Sequence, residues 1–347
     1  MPVSGISIVI CTHNRAAFLE RTLAALASAR PPCDPGTRVE IVVVDNNSTD
    51  ATRQLVRQAA GQSPFPVRYA FEPRQGKSFA LNRALALACG EVLALTDDDV
   101  VPEADWIARL ADGFREGWTF VFGKVLPMWE VPPPPELLTL RARDIWGPLA
   151  LVDYGDEPLR YEPEQFGRQR LPIGANLAVR RDAVLAIGGW RTDLGKVDAS
   201  LIAGEDHELC VRLYRRGLYH GLYDPQLSVR HFVPARRLTR RYFRRWFFWH
   251  GRTMARMMEA VYPELDLARV PHVVGVPRFV YRQFLEQLGR WLRRVGRRDA
   301  LELLVEELRL VDTAGLLYEA WRRRGLRRPP ASAMGSASGL ETAHRAH

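Results

Sequence analysis

The feature that most limits the fold of this chain is an alternation. Short apolar runs rich in β-branched residues, "ISIVIC" (6–11), "VEIVVV" (39–44), "VRYAFE" (67–72), "EVLAL" (91–95) and "TFVFGKV" (119–125), alternate with longer segments. Such runs suit buried strands. The segments between them suit helices. Leu19, Leu23 and Leu26 share one side of 16–29, and Leu81, Leu85 and Ala88 share one side of 78–88. Asp50 is placed to cap a helix over 51–60, and Pro102 is expected in the first turn of a helix carrying Trp106, Ile107 and Leu110. Strand and helix at this spacing build βαβ units. The expected fold class is therefore α/β, a Rossmann-like, mostly parallel sheet flanked by helices.

Sheets of this kind bind ligands at the carboxyl ends of their strands. "CTHNR", "DNNSTD", "EPRQGK" and "TDDDV" stand at those ends, and each is polar. Asp45, Asp97, Asp98 and Asp99 are thus expected on one rim. Three adjacent carboxylates repel one another, and a hard divalent cation offsets that repulsion while a diphosphate completes its oxygen ligands. The plainer account is a set of helix N-terminal acids, which Pro102 and Glu103 would also fit.

Further along, "VPPPPELL" (131–138) reads as a loop, and 139–170 as an excursion over the site. "GANLAVRRDAVLAIGGW" (174–190) reads as a strand, a short helix and a glycine turn. "GEDHELCVRLYRRG" (204–217) reads as a helix with Glu205, Asp206 and Glu208 in its first turn. The four cysteines lack metal or redox spacing, which suits a reducing cytoplasm. No run is apolar for the length of a membrane span, and the first residues lack a secretory pattern.

The ordered set "SIVICTHNR", "VEIVVVDNNSTDAT", "RQGKSFALNRAL", "GEVLALTDDDVVP", "GANLAVRR", "GGW" and "GEDHELCVRL" resembles the bacterial family 2 glycosyltransferases over about residues 4–235. That resemblance implies a GT-A fold and an inverting transfer from a nucleotide-diphospho-sugar, with Mg²⁺ or Mn²⁺ as cofactor. It implies donor-binding roles for Thr12, Asn14, Arg15, Asp45, Lys77, Arg83, Asp97 and Asp98, and metal ligation by Asp99, with Asp97 and His231. Asp206 matches the family's general base, with Glu205 beside it. Gly174, Ala175, Asn176, Gly188, Gly189 and Trp190 lie on the acceptor side. The acceptor it implies is a glycan, polysaccharide or glycolipid.

The residues alone leave alternatives open. Asp45 can cap its turn, Lys77 can be solvated, and Arg83 can form a plain ion pair. His231 can be structural, Trp190 can pack in the core, and Glu205 and Asp206 can be ordinary helix-start acids.

Charge divides the chain. Residues 236–328 hold 22 arginines and no lysine against ten acids, while the front half is mildly acidic. The expected organisation is a catalytic region over 1–235 (donor half 1–125, acceptor half 126–235), a basic helical region over 236–328 and a disordered tail over 329–347. Arginines 236, 237, 240, 241, 244 and 245 interleave with aromatic residues. That pattern suits a helix lying on an anionic membrane, on the inner face if the protein is cytoplasmic, or a helix packed on the catalytic region.

Nucleic acid is disfavoured, since no recognition motif accompanies the charge. A nicotinamide enzyme would need glycines after the first strand, and a P-loop hydrolase needs GxxxxGK[ST]; neither is present. A Mg²⁺-dependent phosphatase gathers acids too, but "CTHNR" lacks its aspartate. A membrane-tethered scaffold with a degenerate sugar site would not retain Asp97–Asp99 and Asp206.

Overall fold

The computed structural model describes residues 3–167, 169–195, 201–258, 265–296 and 299–323. The expected tail over 329–347 lies outside the described residues. The front half follows the alternation. Strands β1 (Gly5–Thr12), β2 (Arg38–Asp45), β3 (Val67–Phe71) and β4 (Val92–Asp97) are joined by helices α1 (Ala16–Ala27), α2 (Thr52–Ala60) and α3 (Lys77–Leu87). All four strands run parallel in the order β3-β2-β1-β4. The isoleucines of β1 and valines 42–44 of β2 are buried, as continuous apolar runs covered on both faces require.

The regular alternation stops after β4. The short strand β5 (Val100–Pro102) follows a tight turn, and helix α4 (Trp106–Gly113) begins later than the sequence suggested. Pro102 therefore ends a strand and does not start a helix. Its register partner is Val229 of β9 (Gly221–Val233), far away in sequence. Strand β6 (Phe120–Trp129) does not neighbour β4 either, because β8 (Asn176–Arg180) inserts antiparallel between them. Parallel pairing resumes between β6 and β9, and β7 (Leu159–Tyr161) borders β9. Helices α5 (Arg181–Ala186) and α6 (Glu205–Arg215) complete this half.

The C-terminal region is helical: α7 (Arg240–Arg256), a small hairpin β10 (His272–Val273) and β11 (Val276–Pro277), α8 (Arg278–Arg294) and α9 (Ala300–Arg322). Helix α7 packs on the rest of the chain. Phe243 is buried in the main core, Phe247 packs against that core, and Phe248 contacts Tyr318 of α9. Many of the arginines turn inward to acids. Arg252 and Arg256 both grip the buried Glu319, at 2.9 and 3.0 Å.

A candidate active site at the carboxyl ends of the sheet

Strands β1, β2 and β4 end side by side, with Thr12 registered to Asp45 and Cys11 to Asp97. The loops beyond them frame a cleft of about 190 Å³, lined by Thr12, Arg15, Lys77, Asp97–Asp99 and His231 among others. A larger depression along α2, at Asp50, Arg53 and Arg57, is shallow and gathers no convergent acids, so size does not mark the site.

The aspartates divide among three partners. Asp97, at the end of β4, accepts from Lys77 Nζ at 2.8 Å. Asp98 is buried, accepts from Thr12 Oγ1 at 2.8 Å and pairs with Arg15 at 2.9 Å. Asp99 is buried too, meets Arg15 at 2.7 Å and lies 3.4 Å from His231 Nε2. Two unit charges 4 Å apart repel by about 4 kcal/mol at an effective dielectric constant near 20. The Arg15 guanidinium, shared by both, offsets this. Burial pushes the Asp98 carboxyl up to about 7 against the pull of Arg15. Burial acts the same way on Asp99, but the hydrogen bond and charge of His231, and then Arg15, outweigh it and hold Asp99 well below the usual carboxylate range.

Strand pairing sets this geometry. Val100 of β5 registers with His231 of β9, and the Phe232 amide donates to the Asp99 carbonyl at 3.0 Å. The aspartate turn and the histidine are thereby pinned to one ladder. His231 Nδ1 is buried with no hydrogen-bond partner among the described residues. Such a group is costly unless something else satisfies it. Among the described residues no set of three His, Cys, Asp or Glu side chains is grouped to hold a metal by itself. Asp99 and His231 do stand together, and a cation held by one or two side chains plus phosphates needs no more.

Beside the cleft, α6 starts with a carboxyl pair. Lys77 Nζ, already on Asp97, lies 3.8 Å from Glu205 Oε1. Burial opposes the charge of Lys77, yet the carboxylates of Asp97, Glu205 and Asp206 outweigh it and hold the ammonium well above its ordinary range. Asp206 Oδ2 accepts the Gly174 amide at 2.7 Å, whereas Asp206 Oδ1 and Glu205 Oε2 are buried without partners among the described residues. Burial, then the charge of Glu205, pushes the Asp206 carboxyl up to about 7. A Cβ on Gly174 would sit 2.9 Å from Asp206 Oδ1, so a larger residue there would push the Asp206 carboxylate aside.

The remaining expected residues scatter by role. Asp45 is buried and accepts from the Ser48 amide and the Tyr69 hydroxyl, both at 2.8 Å. Asn14 accepts from the Thr49 amide and so ties the loop after β1 to the loop after β2. Arg83 is exposed on α3, and its charge acts on Glu72. Asn176 is fully engaged inside the sheet: it accepts from Trp106 Nε1 and donates to the carbonyls of Lys124 and Leu227. Trp190 is buried, with its main chain clasped by Asn82.

Five lining residues were not singled out as site residues from the sequence: Cys11, His13, Asn46, Ala150 and Arg237. Asn46 ties β2 to the loop before α3 through Gly76. Ala150, in the 139–170 excursion, reaches the cleft with φ at 54°. Arg237 also lines it, and its guanidinium makes no ion pair among the described residues. Asn46 had a signal, being next to Asp45. Arg237 was hidden among its arginine neighbours.

A family model described as glycosyl transferase family 2 matches residues 7–129. The chain is 26% identical over 264 residues to the glucosyl-dolichyl phosphate glucuronosyltransferase of Haloferax volcanii, covering 75% of this chain and 79% of that protein. It is 29% identical over 230 residues to the probable glycosyltransferase YdaM of Bacillus subtilis, covering 63% of this chain and 49% of that one. Among solved structures it is similar to the mannosyltransferase PcManGT from Pyrobaculum calidifontis, in complex with GDP-Man and Mn²⁺. There the TM-score is 0.57 at 19% identity, over 92% of this chain and 88% of that one, a likeness of fold.

Proposed function

This chain is a family 2 glycosyltransferase, and from that premise we propose that it moves a sugar, with inversion, from a nucleotide-diphospho-sugar to a hydroxyl acceptor with the help of a divalent cation. The observation that carries the reading is the cleft in which Arg15, Lys77, Asp97–Asp99 and His231 converge beside the Glu205–Asp206 pair.

Asp99 and His231 would hold the cation, with Asp97 at the edge of the set. When bound, the cation supplies positive charge to the departing diphosphate. The approach of His231 Nε2 to within 3.4 Å of the Asp99 carboxylate supports this pairing. Arg237 and Lys77 bring further positive charge to the phosphates. Thr12, Asn14 and Asp45 fix the loops that would receive the nucleoside, and Thr12 also holds Asp98 in place. Asp206 takes the proton of the acceptor hydroxyl as that oxygen attacks the anomeric carbon. The Gly174 amide fixes Oδ2 and leaves Oδ1 for the proton. Glu205, within reach of Lys77, holds the base in its electrostatic frame. The donor bond to the leaving diphosphate breaks on the face opposite the attack.

A lipid-linked or saccharide acceptor is the class favoured here, since the Haloferax volcanii relative is named for a dolichyl phosphate-linked sugar. A phosphatase reading loses its footing at β1, which ends in Thr12 with no aspartate to act as nucleophile.

The test is a thermal-shift screen of nucleotide-sugars with and without Mn²⁺. One donor should raise Tm in a metal-dependent way. Asp99→Ala should abolish the metal-dependent part, and Arg237→Gln should weaken the donor shift while leaving metal dependence in place. An unchanged shift in Asp99→Ala removes the metal assignment.

A further inference from the structure

The basic C-terminal region presents a face that the packing leaves uncovered. Helix α8 buries Val280 and Gln287, and its Arg290 and Arg294 pair with Glu306 and Glu302 of α9. On another side, Tyr281, Leu285, Leu288 and Leu292 follow an i, i+4, i+7, i+11 spacing, which aligns them along one stripe. Leu285 is 65% exposed and Leu292 is 57% exposed, while Leu288 and Tyr281 are half-buried, Tyr281 against the C-terminal core. The stripe continues into the hairpin, because Tyr281 donates to the Val273 carbonyl at 3.1 Å and accepts from Trp321 Nε1 at 2.9 Å. Trp321 is itself exposed.

The hairpin tip is unusual. Val274 and Gly275 occupy the turn with φ of 49° and 74°. Two positive φ values mark a turn that favours Asn-Gly, and a β-branched residue is strained there. The tip nevertheless offers a valine side chain that is 76% exposed. Along the flank of the stripe stand Arg278, Arg282 and Arg293, and of these Arg278 and Arg293 make no ion pair among the described residues. Among the described residues no helix is long and apolar enough to cross a bilayer.

We propose that the stripe Tyr281–Leu285–Leu288–Leu292, with the Val273–Val274 tip and its arginine flank, is the surface by which this protein lies on an anionic lipid bilayer. The leucines and the valine tip sink to the boundary of the acyl chains. Tyr281 and Trp321 sit at headgroup level, and the arginines meet lipid phosphates. Charge decides between a bilayer and a second copy of the chain. Arg282 pairs with Glu286 on its own helix, but a two-fold pairing along the stripe would set Arg278 of one copy against Arg293 of the other, so cation would face cation. Anionic headgroups pair with the same arginines.

The experiment is flotation of the full chain with phosphatidylcholine vesicles, alone or with roughly a third phosphatidylglycerol. The chain should float with the mixed vesicles and far less with the neutral ones. Leu285→Ser with Leu292→Ser should cut binding by about tenfold or more. Val274→Asn, which suits the turn and so should not harm folding, should weaken it too. Arg278→Gln with Arg293→Gln should lower binding and flatten its dependence on salt. Failure of the wild-type chain to float overturns the inference, as does equal flotation of the leucine variant. Dimerisation in sedimentation that the leucine variant abolishes, without vesicle binding, also overturns it and gives the face to a second copy. Vesicle binding needs no donor, so its failure leaves the donor reading above intact.

Discussion

Asp97, Asp98 and Asp99 are consecutive, yet they meet Lys77, Thr12 with Arg15, and Arg15 with His231 respectively. A single cation, Arg15, thus serves two carboxylates, and the loop after β1 is held to the aspartate turn before any ligand arrives. Asp206 differs, because it makes no ion pair among the described residues, and burial, then the charge of Glu205, raises it to about 7. Two consequences follow with different signs. As the proposed base it must be ionised, so kcat/KM should fall as pH drops through about 7. In stability the raised folded-state value means that the ionised form is disfavoured in the folded protein. The penalty is full above pH 7 and disappears as pH falls toward the ordinary range of an aspartate. Asp206→Asn should therefore lose transfer by about 10²–10⁴-fold. In the ligand-free protein it should also raise Tm at pH 8, with little change at pH 4. An Asp206→Asn chain with full activity, or with no pH-dependent gain in Tm, removes the assignment. The acids themselves were legible in the sequence, because charge at the end of an apolar strand is expensive unless used. The engagement of Asn176 was not, because its partners Trp106, Lys124 and Leu227 come from three separate elements.

Elements formed by local pattern were readable, and elements defined by distant pairing were not. The helices α1 to α3 and strands β1 to β4 announce themselves by periodicity. Pro102 was misplaced because the three residues of β5 are a strand only by virtue of β9. The insertion of β8 between β4 and β6 likewise has no local signal. The interleaved arginines and aromatics of α7 supported two accounts, and the contacts with α9 show the packing that one of them called for. Gly251 of α7 and Gly315 of α9 let the two backbones touch: a Cβ on Gly251 would lie 1.7 Å from the Asp312 carbonyl oxygen, and one on Gly315 would lie 2.0 Å from that of Phe248. These positions have ordinary helical φ, so the need for glycine is steric. Gly251→Ala should force α7 and α9 apart and cost about 1–3 kcal/mol by overpacking. Denaturant unfolding should show the loss, with a smaller effect from the same change at Gly217, where a Cβ meets nothing within 4 Å but φ is positive.

At the scale of the whole molecule, the change in charge near residue 235 suggests a boundary that the packing does not respect. One apolar core joins Leu194, Ile202 and Val211 of the catalytic half to Met254, Met257, Met258, Val280 and Leu316 of the C-terminal helices. The main core takes in Phe243 and Leu308 as well. His250 of α7 pairs with Asp312 of α9 at 2.7 Å, and both helices lie behind α6, which carries Glu205 and Asp206. The arginine-rich region therefore shares an apolar core with the front half. We propose that residues 3–323 fold as one unit. A chain ending at residue 235 would leave Leu194, Ile202 and Val211 without their cover, and burying such a side chain is worth about 1.5–3 kcal/mol. Three of them approach the whole margin of a typical domain. The truncated chain should be insoluble, or should lack a cooperative thermal transition and donor-dependent stabilisation together. If it remained soluble and melted cooperatively with the donor shift intact, the C-terminal helices would be an appendage with a separate role.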